Sequence, residues 1–261
     1  MIKAQFSLFT VIPVNVTAED VDDLSRHLWT LPLIGLFYGA VAGGSFYALT
    51  RLLDPLVSAA VLVLLVHGLN RFLHFDGLID LGDGLIATGT HEKKMAAMKD
   101  TRVGAGGVGF GMMFTLLAVA SLASVGEVGY APMMFFLPLA AEVLSKNALV
   151  TVAALGRPRE GLGSPFVSNT RPGHAVLSAV LSLILLAAVF LALGQWSPRP
   201  QSFIPLLMVL ASVAVGAAAA VVAHRSFGCV NGDVLGATNE LAKPFVLIAG
   251  VAGVVLFLSM Y

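Results

Sequence analysis

Six apolar runs, near residues 28–50, 103–125, 132–155, 173–194, 203–223 and 242–261, are each about the length needed to carry a helix across some 30 Å of hydrocarbon. A shorter run at 55–70 brings the expected number of spans to about seven. In hydrocarbon the backbone must satisfy its own hydrogen bonds, so runs of this kind fold as helices. Hydrophobic residues make up 57% of the chain and charged residues 11%, with a mean hydropathy of +0.90, far outside the range of water-soluble domains. The expected fold is therefore all-α, a single polytopic integral membrane domain over 1–261. Residues 1–27 form its lead-in, and one or two short interfacial helices lie around 76–99. The 27 glycines read as surfaces for close helix packing, which permit a homodimer without requiring one. One cysteine, Cys229, excludes an intrachain disulfide. Zero net charge argues against a nucleic-acid partner.

Against this apolar background, residues 74–85 read HFDGLIDLGDGL. On a helix, Asp76, Asp80 and Asp83 fall within an arc of roughly 60°. Three carboxylates so placed repel one another and call for a cation. Oxygen-only donors point first to Mg²⁺, with Mn²⁺ as the alternative, metals that usually accompany phosphate chemistry.

Basic residues give an orientation. With the N-terminus inside and seven crossings, the inner segments hold Lys3, Arg26, Arg71, Lys93, Lys94, Lys99, Arg102, Arg157, Arg159, Arg171, Arg225 and Lys243. The outer ones hold only Arg51 and Arg199. That asymmetry predicts a multi-pass protein of the cytoplasmic membrane. The same parity puts 71–102, 156–172 and 224–242 on the cytoplasmic side, and with them the polar motifs. In the third segment, Asp233 and Glu240 are seven residues apart and share a helix face. Glu142 and Lys146, four apart within a span, can neutralise each other, and intramembrane charges are functional candidates.

DGLIDLGDGL, MKDTRVGAGG, GRPREGLGSPF and GCVNGDVLGATNEL occur in that order. This series resembles the signature motifs of the cobalamin synthase (adenosylcobinamide-GDP ribazoletransferase) family. FSLFTVIPV near the start and LPLIGLFYGAVAGG in the first span are similar to that family's opening segments, so the likeness covers essentially the whole chain. Here Asn231 stands where the family commonly has threonine, and Lys146 where it usually has arginine. The resemblance implies that the phosphocobinamide group of adenosylcobinamide-GDP passes to alpha-ribazole or its 5'-phosphate at the inner leaflet, with release of GMP. Its partners are thus corrinoid and nucleotide substrates and the lipid bilayer.

Breaking a phosphoanhydride builds negative charge that metal-bridging carboxylates can help to absorb. In that light Asp76, Asp80 and Asp83 are expected as metal ligands, with Asp233 and Glu240 completing the site from across the bundle. Asp83, Asp100 or Glu240 would take the proton of the attacking ribose hydroxyl. Arg102, Arg157 and Arg159 suit a phosphate clamp, although Arg157 and Arg159 equally suit contact with anionic lipid. Lys146 and His74 are candidates to face substrate. A CDP-alcohol phosphotransferase shares the fragment carried by Asp80, Asp83, Gly84 and Ala87, but the further acids of that motif are missing here. An ion-coupled transporter is the alternative of another class, and it would place its acids near the middle of the bilayer.

Overall fold

The computed structural model describes residues 1–195 and 203–259, so Arg199 and the last residues of the 242–261 run lie outside the described residues. Among those described, the regular structure is helical, relieved by a single bridge pairing Pro158 with Val230. The lead-in forms α1 (Ile2–Phe9) and α2 (Ala18–Arg26). Thr17 and Asp20 close a capping box at the start of α2, satisfying two otherwise orphaned donors. The N-terminal amine pairs with Asp23 at 3.0 Å. A 3-10 turn, Leu28–Thr30, leads into α3 (Pro32–Leu49). Tyr38 on α3 donates its hydroxyl to the Phe9 carbonyl. The Val11 amide donates to the Leu69 carbonyl at 2.9 Å, so the lead-in is pinned to the bundle at two points.

α4 (Pro55–Leu69) and α5 (Leu73–Ile86) turn by 98° across Asn70, Arg71 and Phe72. Arg71 and Phe72 both lie in the left-handed region, with φ of 55° and 58°. Non-glycine residues hold that conformation only where their surroundings enforce it. The 15 residues of α4 span about 22 Å, too short to cross a bilayer unaided. Among the described residues six helices are long and apolar enough to cross a membrane, or seven if the bent pair counts as one span.

The rest of the chain comprises α6 (His91–Met98), α7 (Ala105–Glu127), α8 (Ala131–Leu155), α9 (Ser164–Asn169), α10 (Pro172–Ala192), α11 (Ile204–Phe227) and α12 (Gly232–Ser259). Central among these is α8, with 89% of its most apolar stretch buried. α3, α10, α11 and α12 pack around it. Close approach of α3 depends on glycine: a Cβ at Gly35 would sit 2.8 Å from the Val143 Cα, and one at Gly39 would sit 2.7 Å from the Leu139 carbonyl oxygen. Small residues at four-residue spacing thus do what their composition suggested.

One expectation about the polar segments needs correction, and the ends of two spans shift. Of residues 76–99, only α6 is a short surface helix, anchored by buried Met95 and Met98. The acidic run instead lies on α5, which packs between α7 and α12. The 224–242 segment is almost wholly helical, because α11 continues to Phe227 and α12 begins at Gly232. Both differences have one cause: glycine-rich, mildly polar sequence continues a helix where neighbouring helices bury it. The three polar segments nevertheless meet at one end of the bundle. Val230 donates to the Arg157 carbonyl at 2.8 Å, and His91 Nε2 lies 3.2 Å from the Arg225 carbonyl.

Candidate active site

The site begins where α5 crosses the first turn of α12. Gly77 makes the crossing possible, since a Cβ there would come within 2.7 Å of the Asp233 carbonyl oxygen. Asp76 and Asp233 consequently line the same cleft, of about 390 Å³. Asn231 sets the second of them. Its Oδ1 accepts from the Val234 amide at 3.0 Å, capping α12, while its Nδ2 donates to Asp233 Oδ2 at 2.8 Å. Asp80 lies one turn beyond Asp76, and the charges of Asp233, Asp76 and Asp83 all bear on it. Neither the Asp76 nor the Asp80 carboxylate has a hydrogen bond or ion pair among the described residues. Acids from two distant stretches of chain thus come to neighbouring positions on α5 and α12.

Asp83 is differently engaged. Its Oδ2 accepts from the Gly104 amide and its Oδ1 from the Gly107 amide, both at 2.8 Å. A carboxylate on α5 therefore caps the N-terminus of α7, where orphan amides and the helix dipole favour negative charge. The glycines of 104–111, read as packing surface, also admit this cap: a Cβ at Gly107 would lie 2.6 Å from Asp83 Oδ2.

Glu240 does not join the aspartates. Seven residues place it on the same face of α12 as Asp233 but about 10 Å deeper. There it is 7% exposed, and its Oε1 accepts from Lys243 Nζ at 3.0 Å and from Asn239 Nδ2 at 3.0 Å. Lys243 also pairs with Glu142 at 3.3 Å, and Glu142 with Lys146 at 3.7 Å. The expected Glu142–Lys146 pair is thus half of a buried quartet, neutral overall. Lys146 is 1% exposed, donates to Asn239 Oδ1 at 2.7 Å and lies over the Tyr38 ring, away from the cleft.

The remaining candidates divide between cleft and surface. His74 lines the cleft, 3% exposed and stacked on Phe9, with neither ring nitrogen hydrogen-bonded and Nδ1 3.9 Å from Glu240 Oε1. Asp100 accepts two hydrogen bonds from the Arg102 side chain, at 3.2 and 3.1 Å. Those bonds hold its carboxyl below the usual range, which makes it a weaker base. Arg102, Arg157 and Arg159 are exposed and do not line the cleft. The cations beside the acids are others. Arg71, at the strained bend, lines the cleft and donates to the Ser7 carbonyl at 3.3 Å. Lys99 exerts its charge on Asp233. In the sequence Arg71 stands out only through the charge asymmetry, and Lys99, within the MKDTRVGAGG motif, carries no role of its own.

As to a divalent cation, no three His, Cys, Asp or Glu side chains among the described residues are already close enough to hold one. The donor chemistry fits nonetheless: Asp76, Asp80 and Asp233 are oxygen donors, partly open to solvent, on helices in close contact.

Fold and cleft together define a class, a multi-pass helical membrane protein with a carboxylate-lined site at one end of its bundle. The chain belongs to the cobalamin-5-phosphate synthase family, which matches residues 1–251. It is similar to the adenosylcobinamide-GDP ribazoletransferase of Methanosarcina mazei, with 32% identity over 99% of this chain and 93% of the relative. Those of Methanocella arvoryzae and Halorubrum lacusprofundi each share 34% identity, over 98% and 96% of this chain and 96% of each relative. No solved structure matches.

Proposed function

We propose that this chain transfers the phosphocobinamide group of adenosylcobinamide-GDP to alpha-ribazole or alpha-ribazole 5'-phosphate, releasing GMP. A ribose hydroxyl of the acceptor attacks the phosphorus that bears cobinamide. The new P–O bond forms as the phosphoanhydride breaks, the electron pair of that bond leaves on GMP, and the proton of the hydroxyl is released to water. Full-length similarity to the named transferases supports the reaction. The observation that carries it at the level of the site is the convergence of Asp76 and Asp233 on one cleft.

Asp76, Asp80 and Asp233 would hold Mg²⁺ or Mn²⁺, which when bound supplies charge compensation for the diphosphate oxygens. Arg71 and Lys99 add positive charge at the same place, an arginine being suited to paired contacts with phosphate. Asn231 fixes the direction in which Asp233 points. Asp83 acts on this site by holding α7 against α5. The cleft faces the cytoplasm and the N-terminus lies inside, a reading supported by the distribution of lysine and arginine and by the meeting of the basic segments at the cleft's end of the bundle.

The test is GMP release by purified protein in detergent, given adenosylcobinamide-GDP, alpha-ribazole 5'-phosphate and Mg²⁺. Turnover is expected to stop with a chelator, and to fall on the order of 100-fold or more in Asp76→Asn and Asp233→Asn, as for loss of groups that bind or orient a catalytic metal. Full turnover in both variants, or in the presence of the chelator, would refute the site.

A further inference from the structure

The cleft has two walls of opposite character. One, from α5 and α12 with the bend before α5, holds the charged lining residues Arg71, Asp76 and Asp233. The other comes from elements with no part in that crossing: Leu8 and Phe9 of α1, Leu28 of the 3-10 turn, and Leu162 and Phe166 around the start of α9. Leu162 is 97% exposed, a large apolar side chain held at the mouth rather than folded away. Neither the diphosphate nor a metal explains this second wall, because both need polar partners.

We propose that the Leu28, Leu162 and Phe166 wall is the subsite for the flat aromatic base of the acceptor nucleoside, and so sets which base is accepted. This rests on the transfer reading above. Three parts of the two substrates compete for the wall. Guanine carries donors and acceptors around its edge, which leucine and phenylalanine cannot pair. The corrin macrocycle is broad and fringed with amides, whereas a cleft of about 390 Å³ is at the small end of ligand pockets, roughly 300 to 1,000 Å³. The benzimidazole base of alpha-ribazole is flat and almost wholly apolar. It matches an aromatic and aliphatic wall through stacking and burial. With the base there, its ribose points to the acidic wall and the corrinoid stays outside the mouth. Phe9 extends the wall and stacks on His74 with ring centroids 5.6 Å apart, so an aromatic surface continues toward the acids.

The experiment measures binding by calorimetry on full-length protein in detergent, with alpha-ribazole and adenosylcobinamide-GDP titrated separately. Leu162→Ser lies at an exposed position and Phe166→Leu is conservative, so both are expected to fold. Each should weaken alpha-ribazole roughly tenfold, the scale of a lost contact in a hydrophobic pocket, and leave adenosylcobinamide-GDP within about twofold of wild type. Alpha-ribazole binding that is unchanged in both variants, absent in wild type, or unaffected while the corrinoid substrate weakens would overturn the proposal. The transfer reading fails separately: if wild type releases no GMP but still binds alpha-ribazole in a manner sensitive to these two positions, the reaction is wrong and the base subsite stands.

Discussion

Asp83 separates two roles that a carboxylate in an acidic run can have, and replacing it measures which one it performs. Its two oxygens accept the Gly104 and Gly107 amides at 2.8 Å each. Taken at face value, two hydrogen bonds to a charged acceptor suggest about 3 to 6 kcal/mol. That is too much for a half-buried site, because water can replace part of what is lost. Helix caps give about 0.5 to 2 kcal/mol and the favourable dipole up to about 1 more. Asp83→Ala is therefore expected to destabilise the protein by about 1 to 3 kcal/mol. Asp83→Asn keeps one acceptor oxygen but sets an NH₂ group against a backbone N–H, for about 1 to 2 kcal/mol. Thermal unfolding in detergent gives the stability, and amide exchange over residues 104–108 locates it. Exchange should accelerate at the start of α7 in both variants. If Asp83→Asn melts with wild type and keeps those amides protected while turnover collapses, Asp83 serves as a ligand and the capping argument is wrong.

Lys243 pairs directly with both Glu240 and Glu142 in the buried quartet, so Lys243→Met takes a cation from two buried carboxylates at once. A loss of about 3 to 5 kcal/mol is expected, as when one partner of a buried ion pair is removed. Adding Glu240→Gln should recover part of it, and strictly additive losses in a double-mutant cycle would refute the coupling. Asn231→Ala removes the cap on α12 and the hold on Asp233 together. About 1 kcal/mol of stability should go along with a larger share of turnover, while turnover at the wild-type rate would show that Asp233 needs no fixed direction.

The parts of this protein legible in its sequence are those that depend on helix period or hydrophobic length alone. Asp76, Asp80 and Asp83 share a face because of their spacing, and the spans follow from apolar runs. What periodicity omits is depth and partnership. Spacing correctly aligned Glu240 with Asp233, yet two turns of rise carried it into the core. There Lys243, three residues on, supplies a partner that the sequence displays but charge counting assigned to a loop. Asp83 meets its partners across more than twenty residues, and no local pattern announces a cap supplied from another helix. The bend at Arg71 and Phe72 is equally silent, since neither residue favours the left-handed region, and its 98° turn is what separates the short run expected as a seventh span from the acidic helix.

The buried quartet and the cleft are mechanically one device, because α12 carries Asp233 at its first turn and Glu240 and Lys243 two to three turns further in. Lys146 binds Asn239, and Ser212 of α11 bridges Asn147 at 2.8 Å and the Leu144 carbonyl at 2.8 Å on α8. Apolar contacts among helices this rich in alanine and valine tolerate sliding and rotation. Directional bonds to buried charges do not: a slip of one residue turns a helix by about 100° and leaves several of them unpaired. The quartet therefore sets the rotation of α12 about its axis, and with it the side from which Asp233 meets Asp76. Lys146→Met leaves the cleft lining unaltered in composition, yet on this argument it lowers turnover by loosening α12. A neutral Lys146→Gln, which can still donate to Asn239, is expected to retain more of it, and equal losses in the two variants would assign the effect to charge rather than to the register of α12.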